Sequence, residues 1–151
     1  MKCNRVDFSA AVENEMTLTL PSLSVNEGMA RAATAAFCAQ LNPSALELAD
    51  IKCAVSEAVT NCIVHAYRET EGEIVINVKL CEGRLIQIEI RDRGCGIENV
   101  KQAREPLFTT DAEGERSSMG FTVMESFCDE LRVSSRVGKG TTVTLLKRLH
   151  K

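Results

Sequence analysis

Five stretches of the chain alternate apolar and polar residues, the pattern of a β-strand that buries one face. They are residues 16–20, 74–80, 86–90, 131–133 and 141–147. Only a short turn containing Glu82-Gly83 separates the second from the third, so these two strands should pair antiparallel. The alternation therefore predicts a sheet whose strands lie mostly in the later part of the chain.

Apolar residues at steps of three and four predict two longer helices in the first half of the chain. The first is rich in alanine, begins at Ser24 or Asn26 and ends near Leu41. The second begins at Pro43, with Asn42 as its cap. Along it runs a core-facing stripe that consists of Leu48, Ile51, Val55, Ala58 and Cys62.

The composition is that of one globular domain with an aliphatic core. The chain has 151 residues, 44% of them hydrophobic and 4% aromatic, which suffices for one domain but not for two of ordinary size. Residues 1–13 show no period and are expected to form a loose N-terminal segment before a domain of residues 14–151. With a net charge of −3 and no basic run, direct binding of nucleic acid is not expected.

The cysteines and the apolar runs indicate a soluble, cytoplasmic protein that does not enter a membrane. No two of the seven cysteines are spaced C-x-x-C, which argues against a zinc or thioredoxin-like site. The thiols are expected to be reduced and to act as small apolar side chains. The first residues contain no apolar h-region, so a signal peptide is not expected, and no run reaches the roughly 18 apolar residues of a membrane-spanning helix.

Glu57 and Asn61 are the first candidates for chemistry. They are four residues apart on the second predicted helix, so they share one helix face at the flank of its apolar stripe. A carboxylate can take a proton, and a carboxamide oxygen can bind a hard metal ion such as Mg²⁺. The alternative is an ordinary solvated helix face.

Asp92 is the second candidate, because it continues the parity of the buried isoleucines in the strand that precedes it. A carboxylate on a buried face is costly unless it is satisfied. Gly94 and Gly96 follow and allow the backbone to turn and approach a ligand. The acid could accept a hydrogen bond from an exocyclic amine such as that of adenine, or it could bond only its own backbone in an Asp-Gly turn.

A long polar segment, residues 105–120, follows a short helix expected over residues 98–104. It shows neither the helical nor the strand periodicity of apolar residues, and a loop of this length in a small domain is usually functional or disordered. Together with Arg104, it supplies Arg116 and hydroxyl groups suited to phosphate oxygens. The sequence turns helical directly after Gly120, so the helix N-terminus predicted there would be a ready anion site.

Three motifs stand in order along the chain: E-A-V-T-N, D-R-G-C-G-I and S-S-M-G-F. This ordered set resembles the nucleotide-binding fold shared by DNA gyrase, the ninety-kilodalton heat-shock chaperone and the sensor histidine kinases, the GHKL superfamily. The resemblance implies an α/β fold, an α+β sandwich with a mixed, mainly antiparallel sheet, helices on one face and a mobile lid over ATP.

From about Glu15 to Leu149 the chain further resembles the anti-sigma F factors of endospore-forming bacteria, which are protein serine kinases. The resemblance implies a homodimer that binds ATP or ADP with Mg²⁺, inhibits a sigma factor of the sigma F type and phosphorylates an anti-anti-sigma factor. It makes Glu57 the general base, Asn61 the Mg²⁺ ligand and Arg31 a contact to partner proteins. The remaining implied nucleotide-binding residues are Asp92, Gly94, Gly96, Ile97 and Thr142 near adenine, and Thr110, Arg116, Ser117, Ser118, Met119 and Gly120 in the lid and its hinge.

The chain departs from the family pattern at two positions. Ser118 stands where the lid usually has glycine, and a side chain there could restrict the loop. Ala66 stands where glycine is common, with little expected effect. Two alternative functions stay open: a nucleotide-gated sigma-binding module with little catalysis, and a stress-type anti-sigma kinase with a different sigma partner.

Overall fold

Five strands form one sheet in which every described pairing is antiparallel. The computed structural model describes residues 10–68, 70–105 and 112–150, and for residues 112–119 only the helical backbone. The strands are β1 (Val12–Pro21), β2 (Glu73–Cys81), β3 (Leu85–Arg91), β4 (Glu130–Arg136) and β5 (Gly140–Arg148). Their order in the sheet is β1-β2-β3-β5-β4. The antiparallel pairing predicted for β2 and β3 is confirmed.

The register places most apolar positions of the strands on one face, while Cys81, Leu85 and Leu146 form a small second cluster on the other. Ile76 pairs with Ile90, Ile90 with Val143, and Val143 with Val133. Because paired residues point to the same side of a sheet, these side chains form a continuous apolar surface. Ile76 and Ile90 are fully buried, so the core lies against this face.

Helices cover the apolar face of the sheet. They are α1 (Asn26–Cys38), α2 (Ala45–Asn61), α3 (Val100–Ala103) and α4 (Ala112–Phe127), with a π-helical turn at Cys62–Ala66 after α2. α2 packs against both α1 and α4, and its Val55, Ala58 and Val59 join the core. The α+β sandwich expected from the resemblance is confirmed, although the expected sheet was mixed and the described one is wholly antiparallel.

The start of α2 differs from the prediction that Asn42 caps it. Ser44 is the N-cap, and it forms a reciprocal capping box with Glu47. Asn42 instead adopts a left-handed conformation at φ 51°, which asparagine tolerates better than most residues. Proline at position 43 therefore precedes the cap rather than opening the helix.

α4 begins at Ala112, whereas the sequence predicted a loop up to Gly120 and a helix N-terminus directly after it. That prediction was wrong. Glycine inside a helix costs only about 1 kcal/mol relative to alanine, and the good helix formers between Ala112 and Gly120 outweigh it. The anion site expected at the amides after Gly120 is therefore absent from this structure, because those residues lie inside the helix.

The structure describes only the last residues of the segment 1–13 that was expected to be loose. Residues 1–9 lie outside the described residues, whereas β1 starts at Val12, inside the segment expected to be loose. Among the helices that the structure describes, none is long and apolar enough to cross a membrane.

Candidate functional site

Asp92 directly follows β3 and is buried, with 6% of its surface exposed. Its Oδ1 accepts hydrogen bonds from the Gly94 N–H (2.9 Å) and the Thr141 N–H (3.2 Å). Its Oδ2 lies 3.5 Å from Sγ of Cys62. Each oxygen therefore fits one of the two interpretations of this acid. Oδ1 bonds local backbone as in an Asp-Gly turn, while Oδ2 keeps the capacity to accept a hydrogen bond from a ligand.

Thr141, which the sequence analysis missed, lies beside Asp92 in the place predicted for Thr142. Besides the bond to the carboxylate, the Thr141 carbonyl accepts from the Asp92 N–H at 2.9 Å. Thr142 pairs with Arg91 and Ser134 on the opposite face of the sheet. A missed signal was available, since buried Val143 and Leu145 place residue 141, not 142, on the core face by period two.

Gly94 and Gly96 are required because backbone from other segments lies against them. A Cβ at Gly94 would come within 2.3 Å of the Ala66 carbonyl oxygen, and one at Gly96 within 2.1 Å of the Arg136 carbonyl oxygen. Gly96 also has φ +77°, a conformation that side chains disfavour. Ile97, next in line, donates its N–H to Oγ of Ser135 at 2.7 Å. The glycines thus fix the loop tightly onto its neighbours.

The π-helical turn after α2 joins that helix to the Asp92 loop. The Tyr67 N–H bonds the Cys62 carbonyl at 3.1 Å, and the Ala66 carbonyl accepts from the Cys95 N–H at 2.9 Å. Such π-turns often occur at functional sites. Here the turn places the C-terminal end of the helix that carries Glu57 and Asn61 directly against the Asp92 loop.

Tyr67 is a second residue that sequence reasoning missed. Its hydroxyl accepts from the Arg93 N–H at 2.7 Å and donates to the Glu73 carbonyl at 2.5 Å. Burial of the ring raises the pKa of this phenol, so it stays protonated and able to donate. Tyr67 thereby ties the residue after Asp92 to the start of β2. No local sequence pattern marks this link, because it depends on the positions of three separate segments.

Glu57 and Asn61 lie at the flank predicted for them, and both are half-buried. The Nδ2 atom of Asn61 is buried and finds no hydrogen-bond partner in the described part of the chain. A Cβ at Gly120 of α4 would come within 3.2 Å of both Nδ2 and Oδ1 of Asn61. Since a buried amide without a partner is costly, this carboxamide is suited to a ligand that supplies one.

Cys62 follows Asn61 and completes the inner wall next to Asp92. Burial, and secondly the Asp92 charge, raise the pKa of this thiol well above its usual range. The group is therefore an S–H donor rather than a thiolate. The thiols of Cys38 and Cys81 are likewise free and buried, as expected for cysteines that act as small apolar residues.

The structure tests the predicted lid only in part. Thr110 lies outside the described residues. Gly120 is buried against Asn61. Arg104, taken from sequence as a possible phosphate donor, instead pairs with Glu125 of α4. The other lid residues have a helical backbone in α4, and their side chains are not described: Arg116, Ser117, Ser118 and Met119.

Arg31 lies exposed on α1 and faces α2. Its guanidinium is 3.0 Å from the Glu27 carboxylate and 3.4 Å from Oγ of Ser56. Ser56 immediately precedes Glu57, so Arg31 lies beside the turn of α2 that carries the predicted general base.

The side chains at this site suit a metal ion that binds together with a ligand. They do not suit an ion held by the protein alone. No group of three His, Cys, Asp or Glu side chains among the described residues could hold a metal. Asn61 offers one carboxamide oxygen as a ligand, whereas its unpaired Nδ2 is a hydrogen-bond donor suited to an acceptor on the ligand. Mg²⁺ commonly keeps several waters and takes only one or two protein ligands together with substrate phosphates, which matches this sparse set.

Comparison with known proteins decides the family. The histidine kinase-like ATPase domain family matches residues 20–147. The anti-sigma F factor of Anoxybacillus flavithermus is 52% identical over 140 residues, covering 93% of this chain and 96% of that protein. This chain belongs to the anti-sigma F factor family. A second member, from Caldanaerobacter subterraneus, is 54% identical over 134 residues, covering 89% of this chain and 93% of that protein.

Solved structures agree on the fold of this family member. The RsbU and RsbW domains of a Mycobacterium tuberculosis protein superpose with a TM-score of 0.68 at 24% identity, covering 91% of this chain and 33% of that one. The histidine kinase domain of a blue-light activated kinase from Erythrobacter litoralis gives 0.56 at 19% identity, covering 82% of this chain and 61% of that one. The fold is therefore that of a histidine kinase-like ATPase domain.

Proposed function

We propose that this anti-sigma F family member is an ATP-dependent protein serine kinase that alternates between two protein partners. It would bind and inhibit a sigma factor of the sigma F type, and it would phosphorylate a serine of an anti-anti-sigma factor. The observation that carries the proposal is Asp92: one carboxylate oxygen is held by two backbone amides while the other keeps acceptor capacity. The match to the histidine kinase-like ATPase domain family supports a nucleotide as the ligand.

Base recognition follows from the arrangement around Asp92. Its Oδ2 would accept a hydrogen bond from the exocyclic amine of adenine. The Thr141 backbone and the loop of Gly94 and Gly96 hold the carboxylate in place before the ligand binds. Binding therefore costs little conformational entropy at this side chain. A preorganised acceptor of this kind favours a base that carries an amino group, because a base without that donor leaves the remaining acceptor capacity of Oδ2 unused.

The carboxamide face of α2 would serve the phosphates and the reacting hydroxyl. Asn61 would hold Mg²⁺ through its carboxamide oxygen. The ion would supply positive charge that offsets the negative charge on the oxygens of the transferred phosphoryl group. Glu57 would accept the proton of the partner's serine as that oxygen bonds to the γ-phosphorus and ADP leaves. Arg116 and the hydroxyls of Ser117 and Ser118 would contact the phosphates from the side of α4.

Partner binding is proposed at the edge of α2 where Arg31 lies. Its side chain is 45% exposed and faces the turn of α2 that carries Ser56 and Glu57. A partner that binds at this turn of α2 would therefore contact this cation. The proposed assembly is a cytoplasmic homodimer, as the family resemblance implies.

A second candidate function is a nucleotide-gated sigma-binding module with slow or no catalysis. In the part of the chain that the structure describes, no hydrogen bond or ion pair orients the carboxylate of Glu57. A general base without an orienting group depends on the partner to complete the site, so catalysis could be weak.

Labelled ATP distinguishes the two functions. The protein is incubated with radiolabelled ATP, Mg²⁺ and the candidate anti-anti-sigma factor, and label on the partner is followed. We expect Glu57→Ala to lower transfer about 10³-fold, within the range typical of a lost general base, while ATP affinity stays within about twofold. Glu82→Ala, at the exposed turn between β2 and β3, is the matched control. Transfer at the wild-type rate in Glu57→Ala would refute the assignment, and no transfer by the wild type would favour the binding module.

A further inference from the structure

Cys62 contacts the free side of the Asp92 carboxylate. It is the first residue of the π-helical turn, it is 4% exposed, and its Sγ lies 3.5 Å from Asp92 Oδ2. That distance is within the range of a hydrogen bond to sulfur. The proposed role of Asp92 in base binding depends on the same oxygen.

The two oxygens of Asp92 have different partners. Oδ1 takes backbone N–H groups from Gly94 and Thr141, and these fix its position. Rotation about the Cβ–Cγ bond moves both oxygens together, so a donor on Oδ2 restrains from the other side the same rotation that these amides restrain at Oδ1. Among the described residues, the Cys62 thiol is the hydrogen-bond partner of Oδ2.

We propose that Cys62 is a positioning residue of the base pocket, whose S–H donates to Asp92 Oδ2 and turns the remaining acceptor capacity of that oxygen toward the amino group of the base. This inference rests on the proposed nucleotide binding and deepens it. A thiol suits the task because S–H is a weak donor. It orients the carboxylate while leaving most of the negative charge available to the ligand.

The location of Cys62 supports a role in the site as well as in the core. It follows Asn61 directly, at the point where α2 passes into the π-turn that contacts the Asp92 loop. Its thiol thus links the helix of the proposed metal ligand to the proposed base acceptor.

The test compares two ligands on four proteins. Calorimetric titration with ATP and with purine riboside triphosphate, which lacks the 6-amino group, is run on wild type, Cys62→Ala, Cys62→Ser and Cys53→Ala. Cys53 lies exposed on α2, the helix that leads into the turn of Cys62, and is the control. Thermal unfolding of each variant without nucleotide reports whether the fold is kept.

We expect Cys62→Ala to weaken ATP about fivefold, equivalent to about 1 kcal/mol, and to leave the analogue within twofold. Cys62→Ser should restore ATP affinity, because a hydroxyl donates to the same oxygen. Cys53→Ala should change neither ligand.

Equal losses for both ligands in Cys62→Ala would overturn the positioning role and leave a packing role. Unchanged ATP affinity in Cys62→Ala, or a Cys62→Ser that fails to restore it in a folded protein, would overturn it too. A wild type that binds both ligands equally would instead refute the contact between Asp92 and the amino group, and the inference with it, so the two failures are distinguishable.

Discussion

The two ends of the candidate site differ in how far the protein itself satisfies their polar groups. At the base end, formed by Asp92–Ile97 with Tyr67 and Thr141, backbone and side-chain bonds hold the loop on every side. At the helix-face end, formed by Glu57, Asn61 and Gly120, the described residues leave Asn61 Nδ2 buried and unpaired. The base end is therefore preorganised, whereas the helix-face end needs a ligand and a partner to complete it.

Asp92→Asn tests the preorganised end and should have the largest effect on binding. The carboxamide oxygen can keep the bonds from Gly94 and Thr141, which turns the new NH₂ group toward the base. Two donors then face each other, and we expect ATP affinity to fall at least about 100-fold, equivalent to about 2.7 kcal/mol. The measurement is calorimetric titration with ATP.

Asp50→Asn is the control for Asp92→Asn. Asp50 lies on the helix that carries Asn61, but its carboxylate is 3.5 Å from the Lys147 ammonium, away from the base end. Its variant should bind ATP as the wild type does. Unchanged affinity in Asp92→Asn would reduce Asp92 to a turn residue, and the contrast between the two ends would lose its functional meaning.

Periodicity predicted the sheet and the burial of Asp92 because both depend on one local rule, the alternation of faces along a strand. The same rule, applied to T-T-V-T-L-L, would have selected Thr141 in place of Thr142. The Ser44–Glu47 capping box was also legible as S-x-x-E, but the proline before it drew the helix start two residues too early.

Other features of the site could not be predicted from local sequence. The Tyr67 hydroxyl bridges Arg93 and Glu73, and the unpaired end of Asn61 exists only because α4 packs beside it. Both result from tertiary packing, to which neither periodicity nor propensity responds. The early start of α4 belongs with them, because helix formers and glycines there give opposing local signals.

Gly120→Ala tests the helix-face end, with a smaller expected effect. The new Cβ would lie 3.2 Å from both polar atoms of Asn61, closer than ordinary van der Waals contact, so the carboxamide must shift. We expect ATP affinity in the presence of Mg²⁺ to fall about tenfold, with a smaller change when Mg²⁺ is removed by chelation. Thermal stability should stay the same or rise, since alanine is the better helix former.

Gly28→Ala provides the matched helical glycine. Among the described residues, its Cβ would meet only the Arg31 guanidinium, at 3.9 Å, so it should raise stability by up to about 1 kcal/mol without changing nucleotide affinity. If Gly120→Ala bound Mg²⁺ and ATP as tightly as Gly28→Ala, the contact between α4 and Asn61 would have no part in the site.

Glu47→Gln removes a charge remote from both ends and should have the smallest effect. The backbone N–H of Ser44, then that of His150, lowers the pKa of the Glu47 carboxyl below 4.5. A group whose folded pKa is depressed stabilises the fold above its unfolded pKa and loses that contribution as the pH falls through the folded value.

Urea unfolding should therefore find Glu47→Gln less stable than wild type by about 1 kcal/mol at pH 7. The difference should shrink below about pH 4.5 and ATP affinity should not change, whereas Ser44→Ala, which loses the other half of the capping box, should be destabilised at both pH values. A deficit in Glu47→Gln that persists under acid, or any loss of ATP affinity, would show that Glu47 acts through packing or reaches the site.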